Sequence, residues 1–318
     1  MEENNQNNFI KFLSIEQRTK YFVWVLFCLS VASVFTFATL LHDRNIEKNK
    51  ANAPLAINFF ETLSLEARGI VVWDVVNQRE LFAKNPDLAL PLASLAKVMT
   101  AVTANEIAQS EKNIKITAED LTPEGDSKLV VGDSWNSKDL TDFTLLTSSN
   151  DGAYALASVA ASLGFSATTD SHIAFIKKMN QIAETIGMSN SHFWNEHGLD
   201  RQIDQGGAYG SAKDMALLFQ YTLTKYPHLL EATRYKSLAI NSSNTKYDAE
   251  NTNIFVNQIP GLLASKTGYT ELAGGNLVIA FDAGLNRPII ISALGSSEQG
   301  RFDDVLELVD ASMQFISN

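Results

Sequence analysis

The chain has 318 residues, 45% of them apolar, which is enough to bury one large domain or two closely associated lobes. Its 25 Lys and Arg stand against 36 Asp and Glu, a formal net charge of −11, so it lacks the basic footprint that nucleic-acid binding requires. One cysteine, Cys28, excludes an intramolecular disulfide.

Residues 1–20 are polar and rich in Asn and Gln, and are expected to form a short cytoplasmic tail. Residues 21–41, YFVWVLFCLSVASVFTFATLL, carry no charge. As a helix they would span about 32 Å at about 1.5 Å per residue, enough to cross a bilayer core. Tyr21 and Trp24 near one end suit a membrane interface. A cleaved signal peptide would end in a small-x-small site, whereas this segment runs through Phe35, Thr36 and Phe37, so an uncleaved signal-anchor is expected. Phe27 before Cys28 argues against lipid attachment there. Lys11, Arg18 and Lys20 on one side balance Arg44, Lys48 and Lys50 on the other, so charge does not orient the anchor. Polar residues 42–56 read as a tether.

The globular part is expected over 57–318. Gly69 to Trp73 reads as a strand, with Arg79 to Ala83 as its hairpin partner. Ser94 is expected in the first turn of a helix whose Leu95, Val98, Met99 and Val102 fall at i, i+3, i+4 and i+7. The middle, about 105–225, reads as helical. Asp170 to Ile186 places Ile173, Ile176, Met179, Ile182, Ala183 and Ile186 on one face, with Gly187 as C-cap. Ser211 to Asp214 resembles a capping box opening the helix of Met215, Leu218 and Phe219. Leu262–Gly268, Asn276–Asp282 and Pro288–Gly295 are spaced as an antiparallel meander. A closing helix then carries Phe302, Val305, Leu306, Val309, Met313 and Ile316. The order predicts an α+β fold: an antiparallel sheet flanked by N- and C-terminal helices, plus an all-helical lobe, with a cleft between them.

Three motifs follow one another: Ser94-Leu-Ala-Lys97, Ser148-Ser-Asn150 and Lys266-Thr-Gly268. S-x-x-K arises by chance roughly once in a few hundred residues, and Ser243-Asn-Thr-Lys246, in a polar stretch, is such a stray copy. K-T-G is rarer, on the order of once in several thousand positions. Together they supply a nucleophile, two proton carriers and an anion clamp for acyl transfer through a serine ester. A serine hydroxyl needs a base, and a lysine serves only if burial and nearby cations lower its pKa. The plain alternative makes Ser94 an N-cap and Lys97 a solvated side chain. Ser148 is placed to relay a proton, and Asn150 to hold the substrate backbone or Lys97. The plain alternative there is a polar turn capping a helix that starts near Gly152. Asp151 is assigned a capping role. Lys266 and Thr267 on a strand edge suit a substrate carboxylate, and Gly268 leaves room for an extended peptide. The N–H groups of Ser94 and Tyr269 are the expected oxyanion donors.

Pro91-Leu-Ala-Ser-Leu-Ala-Lys-Val-Met-Thr-Ala101, Phe175-Ile-Lys-Lys-Met-Asn180, Gly187-Met188, Ser191-His-Phe-Trp-Asn195 and His197-Gly-Leu-Asp200 extend the match. Ser211-Ala-Lys-Asp-Met-Ala216 and Lys266-Thr-Gly-Tyr-Thr270 continue it. Over about 57–318 the chain resembles the serine-type D-Ala-D-Ala carboxypeptidases, the low-molecular-mass penicillin-binding proteins. The resemblance implies a β-lactamase/transpeptidase-like fold, Ser94 as acyl-ester nucleophile and Lys97 as its base. Ser148, Asn150 and Lys266 complete the centre, and Arg301 would help hold the substrate's terminal carboxylate. The plain alternative makes Arg301 a surface residue opening the last helix. Peptidoglycan stem peptides would be the substrate, β-lactams covalent inhibitors, and no metal or cofactor is implied. A single-pass protein of the bacterial cytoplasmic membrane, with its catalytic domain outside, is expected. Relatives with a C-terminal β-rich domain and an amphipathic anchor extend past the catalytic domain. This sequence ends at Asn318, so the N-terminal helix is expected to replace that anchor. Glu196 also departs from the family pattern and raises a β-lactamase alternative, because class A β-lactamases use a loop glutamate to activate water. The same motifs would also serve a D,D-endopeptidase cleaving cross-links, or a non-catalytic receptor for β-lactams or wall fragments.

Overall fold

β-Branched runs near both ends of the domain build one antiparallel sheet. The computed structural model describes residues 59–317 except 109–112, 126–127, 166–170 and 285, together with Lys20 and Trp24. Apart from those two residues, the expected tail, anchor and tether lie outside the described residues. Among the described residues no helix is long and apolar enough to cross a membrane.

The strands are β1 (Gly69–Asp74), β2 (Arg79–Lys84), β3 (Leu90–Pro91), β4 (Ile114–Lys115), β5 (Ser134–Trp135), β6 (His192–Phe193), β7 (Ala208–Gly210), β8 (Ser237–Asn241), β9 (Lys246–Glu250), β10 (Leu262–Thr270), β11 (Gly274–Asp282) and β12 (Pro288–Ser296). The helices are α1 (Ala96–Ile107), α2 (Ser137–Thr147), α3 (Asn150–Gly164), α4 (Ser171–Ile186), α5 (Ala212–Lys225) and α6 (Gly300–Ser317).

The main sheet runs β10-β11-β12-β1-β2. The expected meander is therefore joined to the expected hairpin through β1 and β12, in register Val71 with Ser292. Side chains alternate between its faces. Ile70, Val72, Leu277, Ile279, Phe281 and Ile291 pack under Phe302, Val305 and Leu308 of α6. Val71, Val278, Ala280, Ile290 and Leu294 join the core of the helical lobe instead. Both faces are covered, which is why β11 is apolar almost without alternation. At the N-terminal flank the described residues begin with a turn from Phe59 to Thr62. Phe60 there stacks on Phe82 at 5.2 Å.

α1 is buried from Ala96 to Ala104, as befits a helix enclosed on all sides. In α4 the buried face is Phe175, Met179, Ile182 and Ala183. Ile173, expected on that face, is 65% exposed. It lies about 200° around the helix from Phe175, so the stripe is centred on the aromatic ring. Gly187 takes φ +88 and closes α4 as expected, and Ser211 Oγ accepts from Asp214 N to start α5. Between its helices the lobe carries short pairings, β3-β7-β6 and β4-β5. The hairpin β8-β9 occupies the polar stretch that holds the stray motif.

Candidate active site

Ser94 sits in a 3-10 turn, Ala93–Leu95, that runs into α1; the expected α-helical first turn is displaced. The physical cause is Ala93, whose φ of +49 interrupts the right-handed run. Leu92, Ala93, Leu95 and Ala96 are buried while Ser94 stays partly accessible. This segment is clamped from three sides. Buried Asn276 of β11 donates through Nδ2 to Pro91 O at 3.0 Å and Leu92 O at 3.1 Å. A Cβ on Gly198 would lie 1.9 Å from Ala93 O, and one on Gly268 would lie 2.7 Å from Leu92 O. Gly268 thus permits a close approach by the chain's own Leu92–Leu95.

Lys97 is fully buried. Its Nζ donates to Ser94 Oγ, Asn150 Oδ1 and His197 O, each at 2.7 Å. Those bonds match the three hydrogens of an ammonium. Burial first, then the Lys266 charge, hold the amine well below the ordinary lysine range, while Glu196 pulls the other way. Asn150 is fixed in turn, because its Nδ2 donates to Glu124 O at 2.6 Å.

Ser148 caps the C-terminus of α2 in the left-handed region, with φ 63. Lys266 Nζ donates to Ser148 Oγ at 2.8 Å and to Thr267 O at 2.8 Å. Burial, then the Arg301 guanidinium, push the Lys266 amine down to about 7. The cap of α3 is Ser149, whose Oγ accepts from Gly152 N at 2.8 Å. That displaces the role expected of Asp151, and α3 begins at Asn150, before Gly152. Ser148 and Asn150 therefore flank a cap and line one groove of about 750 Å³ with Lys128, Lys246 and Asp248.

The Thr267 hydroxyl meets Thr252 Oγ1 at 2.6 Å. Tyr269 is 41% exposed, with the Arg301 guanidinium 5.8 Å from its ring centre. Arg301 opens α6, yet it is buried, and its Nη1 donates to Gly268 O at 2.9 Å. Its Nε has no hydrogen-bond partner among the described residues. β10 is an edge strand; Ser265 N donates away from β11, to Thr233 Oγ1, and by alternation the N–H of Tyr269 faces the same way. The stray Ser243 is spoken for: its Oγ accepts from Ser134 N at 3.0 Å beside the β8-β9 turn.

Sequence reasoning brought forward Ser94, Lys97, Ser148, Asn150 and Lys266, and the fold gathers them. It missed Asn276, Gly198 and the His197 carbonyl. The last acts through backbone, which leaves no residue-type signal. Glu196 is buried, with Oε1 4.0 Å from both His172 Nδ1 and His197 Nε2. Burial raises its carboxyl, and burial followed by the Lys97 charge pushes His197 down to about 3. Leu199 N donates to His197 Nδ1, which leaves the neutral ring's proton on Nε2. No group of three or more His, Cys, Asp or Glu is placed to hold a metal among the described residues.

Residues 55–297 match the family profile of Peptidase S11, described as D-alanyl-D-alanine carboxypeptidase. The chain is 28% identical to the D-alanyl-D-alanine carboxypeptidase DacF of Bacillus subtilis, over 78% of this chain and 62% of that protein. It thus spans about three fifths of that relative's length. It is 30% identical to a D-alanyl-D-alanine endopeptidase of Haemophilus influenzae, over 67% of this chain and 69% of the other. The fold is similar to ampicillin-bound Penicillin-Binding Protein D2 of Listeria monocytogenes, at TM-score 0.63 and 26% identity, covering 79% of this chain and 98% of that one. The α+β architecture expected from the element order is therefore the one found. On a profile match that takes in more than half of its residues, the chain belongs to the Peptidase S11 family of D-alanyl-D-alanine carboxypeptidases.

Proposed function

We propose that the protein is a serine D,D-carboxypeptidase that removes the terminal D-Ala from peptidoglycan stem peptides through an acyl-enzyme on Ser94. The observation that carries this reading is the environment of Lys97. A neutral amine there keeps two N–H bonds, to Asn150 Oδ1 and His197 O, and these aim its lone pair at Ser94 Oγ. Ser94 gives its proton to Lys97 as Oγ attacks the penultimate carbonyl. The N–H groups of Ser94 and Tyr269 hold the developing oxyanion. Ser148, bonded to Lys266, passes its hydroxyl proton to the leaving amine and takes in its place the proton that Lys97 received from Ser94, so Lys97 is neutral again. The C–N bond breaks and D-Ala departs; the neutral Lys97 then takes a proton from the water that attacks the ester and returns it to Ser94 Oγ as the ester C–O bond breaks. Lys266, Thr267 and Arg301 receive the terminal carboxylate. β-Lactams would acylate the same serine, as the ampicillin-bound relative suggests.

The reading places the catalytic domain at 57–318, with its helical lobe at about 105–225, outside a bacterial cytoplasmic membrane. Residues 21–41 would anchor it and 42–56 would tether it. A second reading, a D,D-endopeptidase that cleaves cross-links, is favoured by the Haemophilus influenzae relative. Incubation of the protein with a D-Ala-D-Ala-terminated pentapeptide and with cross-linked dimers separates the two. Free D-Ala from the pentapeptide is expected; release of neither product by folded protein would end both readings.

A further inference from the structure

Glu196 is the acidic group that the proposed mechanism leaves unused. It lines a groove of about 740 Å³ with Glu119, Tyr154, His172, Ile173, Lys177 and Trp194, whose walls include none of Ser94, Lys97, Ser148 or Lys266. Activation of water at the ester, the class A β-lactamase role, is therefore not what this placement suits. The Glu196 side chain is only 5% exposed, and its Oε1 stands 4.0 Å from His172 Nδ1 and from His197 Nε2. At that distance neither ring makes a hydrogen bond to it. Its own backbone N–H is the donor beside it. An ionised carboxylate offers about four acceptor sites, so this buried group reaches the groove with most of them open. His197 stays neutral at ordinary pH and supplies no countercharge. A carboxylate held in this way is costly until a cation reaches it.

We infer that this groove is a second ligand site, which takes a primary alkylammonium group against the Glu196 carboxylate and its methylene chain along Ile173 and the aromatic rings. The three N–H donors of an ammonium answer the open acceptors. The rings of Tyr154 and His172 lie 4.3 Å apart, and Trp194 is 42% exposed, so aromatic faces that attract a cation line the path to the carboxylate. Glu119, which accepts from the Tyr154 hydroxyl, adds a second negative charge to the walls, against one lysine, the exposed Lys177. Ile173, 65% exposed on α4, supplies apolar surface for the chain. A metal ion fits less well. Leu199 N donates to His197 Nδ1, which leaves a proton on the Nε2 that faces Glu196, and a protonated nitrogen cannot ligate. Two sources carry the ammonium: the side chain of a diamino acid in a wall peptide, and a free diamine.

Isothermal titration of the full chain with Nα-acetyl-lysine methylamide and with cadaverine reads this binding. Saturable binding of at least one of them, with a Kd below about 1 mM, is expected. Acetylating the amine of that ligand, or replacing the carboxylate in Glu196→Gln, should weaken binding at least about tenfold. If Glu196→Gln does not fold, Ile173→Arg carries the test, because that exposed position tolerates a long side chain. It sets a cation in the groove and should also weaken binding at least about tenfold. Tighter binding of the lysine amide assigns a peptide source, and tighter binding of cadaverine a free diamine. Failure of both amines to bind, equal binding of the acetylated ligand, or unchanged binding by folded Glu196→Gln or Ile173→Arg overturns the inference. Neither ligand has a D-Ala-D-Ala end, so D-Ala release bears on the proposed hydrolysis alone and the two readings fail separately.

Discussion

The Asn150→Asp substitution probes the Lys97 environment most sharply, because it alters charge with almost no change of shape. Asn150 Oδ1 lies 2.7 Å from Lys97 Nζ. A unit negative charge at that distance attracts the ammonium by about 6 kcal/mol at an effective dielectric constant of about 20. Burying the new carboxylate takes back several kcal/mol. The Asn150 Nδ2 bond to Glu124 O also becomes an oxygen–oxygen contact. A net of about 3 kcal/mol, or about two pH units, remains in favour of charged Lys97. The acidic limb of acylation should therefore move up by about two units. At the wild-type midpoint the rate should fall about 50-fold. Stopped-flow labelling with a fluorescent penicillin measures this, and a thermal melt checks folding. A limb that stays in place or moves down in folded Asn150→Asp would refute Lys97 as the base.

The Lys266 amine, held near 7 by burial and Arg301, should lose its charge above that pH in the free protein. kcat/KM for a D-Ala-D-Ala peptide should then fall on the alkaline side of about 7, and the fall should be absent for a peptide ending in an amide; equal profiles would contradict a carboxylate role for Lys266. Gly268→Ala places a Cβ 2.7 Å from Leu92 O. Overpacking of that kind costs about 1–3 kcal/mol, so the melting temperature should drop and Ser94 acylation should slow at least about tenfold. A lower melting temperature with an unchanged rate would show that Gly268 supports folding without placing Ser94.

The elements that carry strong periodicity were legible: β1 with β2, the three C-terminal strands, α5 and α6 all stand where apolar spacing put them. The tighter details were not. Ala93 has an ordinary side chain, and nothing in its identity announces a positive φ, so the 3-10 turn that exposes Ser94 could not be foreseen. Ile173 belonged to a helical stripe on spacing alone, but packing around Phe175 turned it outward. Short strands such as β3 and β6 hold two residues each, too few for alternation to register. At the site, residue types with distinctive chemistry were visible in the three motifs. The supports were not, because Asn276 works through two distant carbonyls and His197 through its backbone oxygen.

Covalent capture of Ser94 is the most direct test of this chemistry. Intact mass spectrometry of the full chain after exposure to benzylpenicillin, followed by peptide mapping, should show one penicilloyl increment on the peptide that contains Ser94, and none in Ser94→Ala. An increment that persists in Ser94→Ala, or folded wild-type protein that takes up none, would contradict the assignment of Ser94 as the nucleophile.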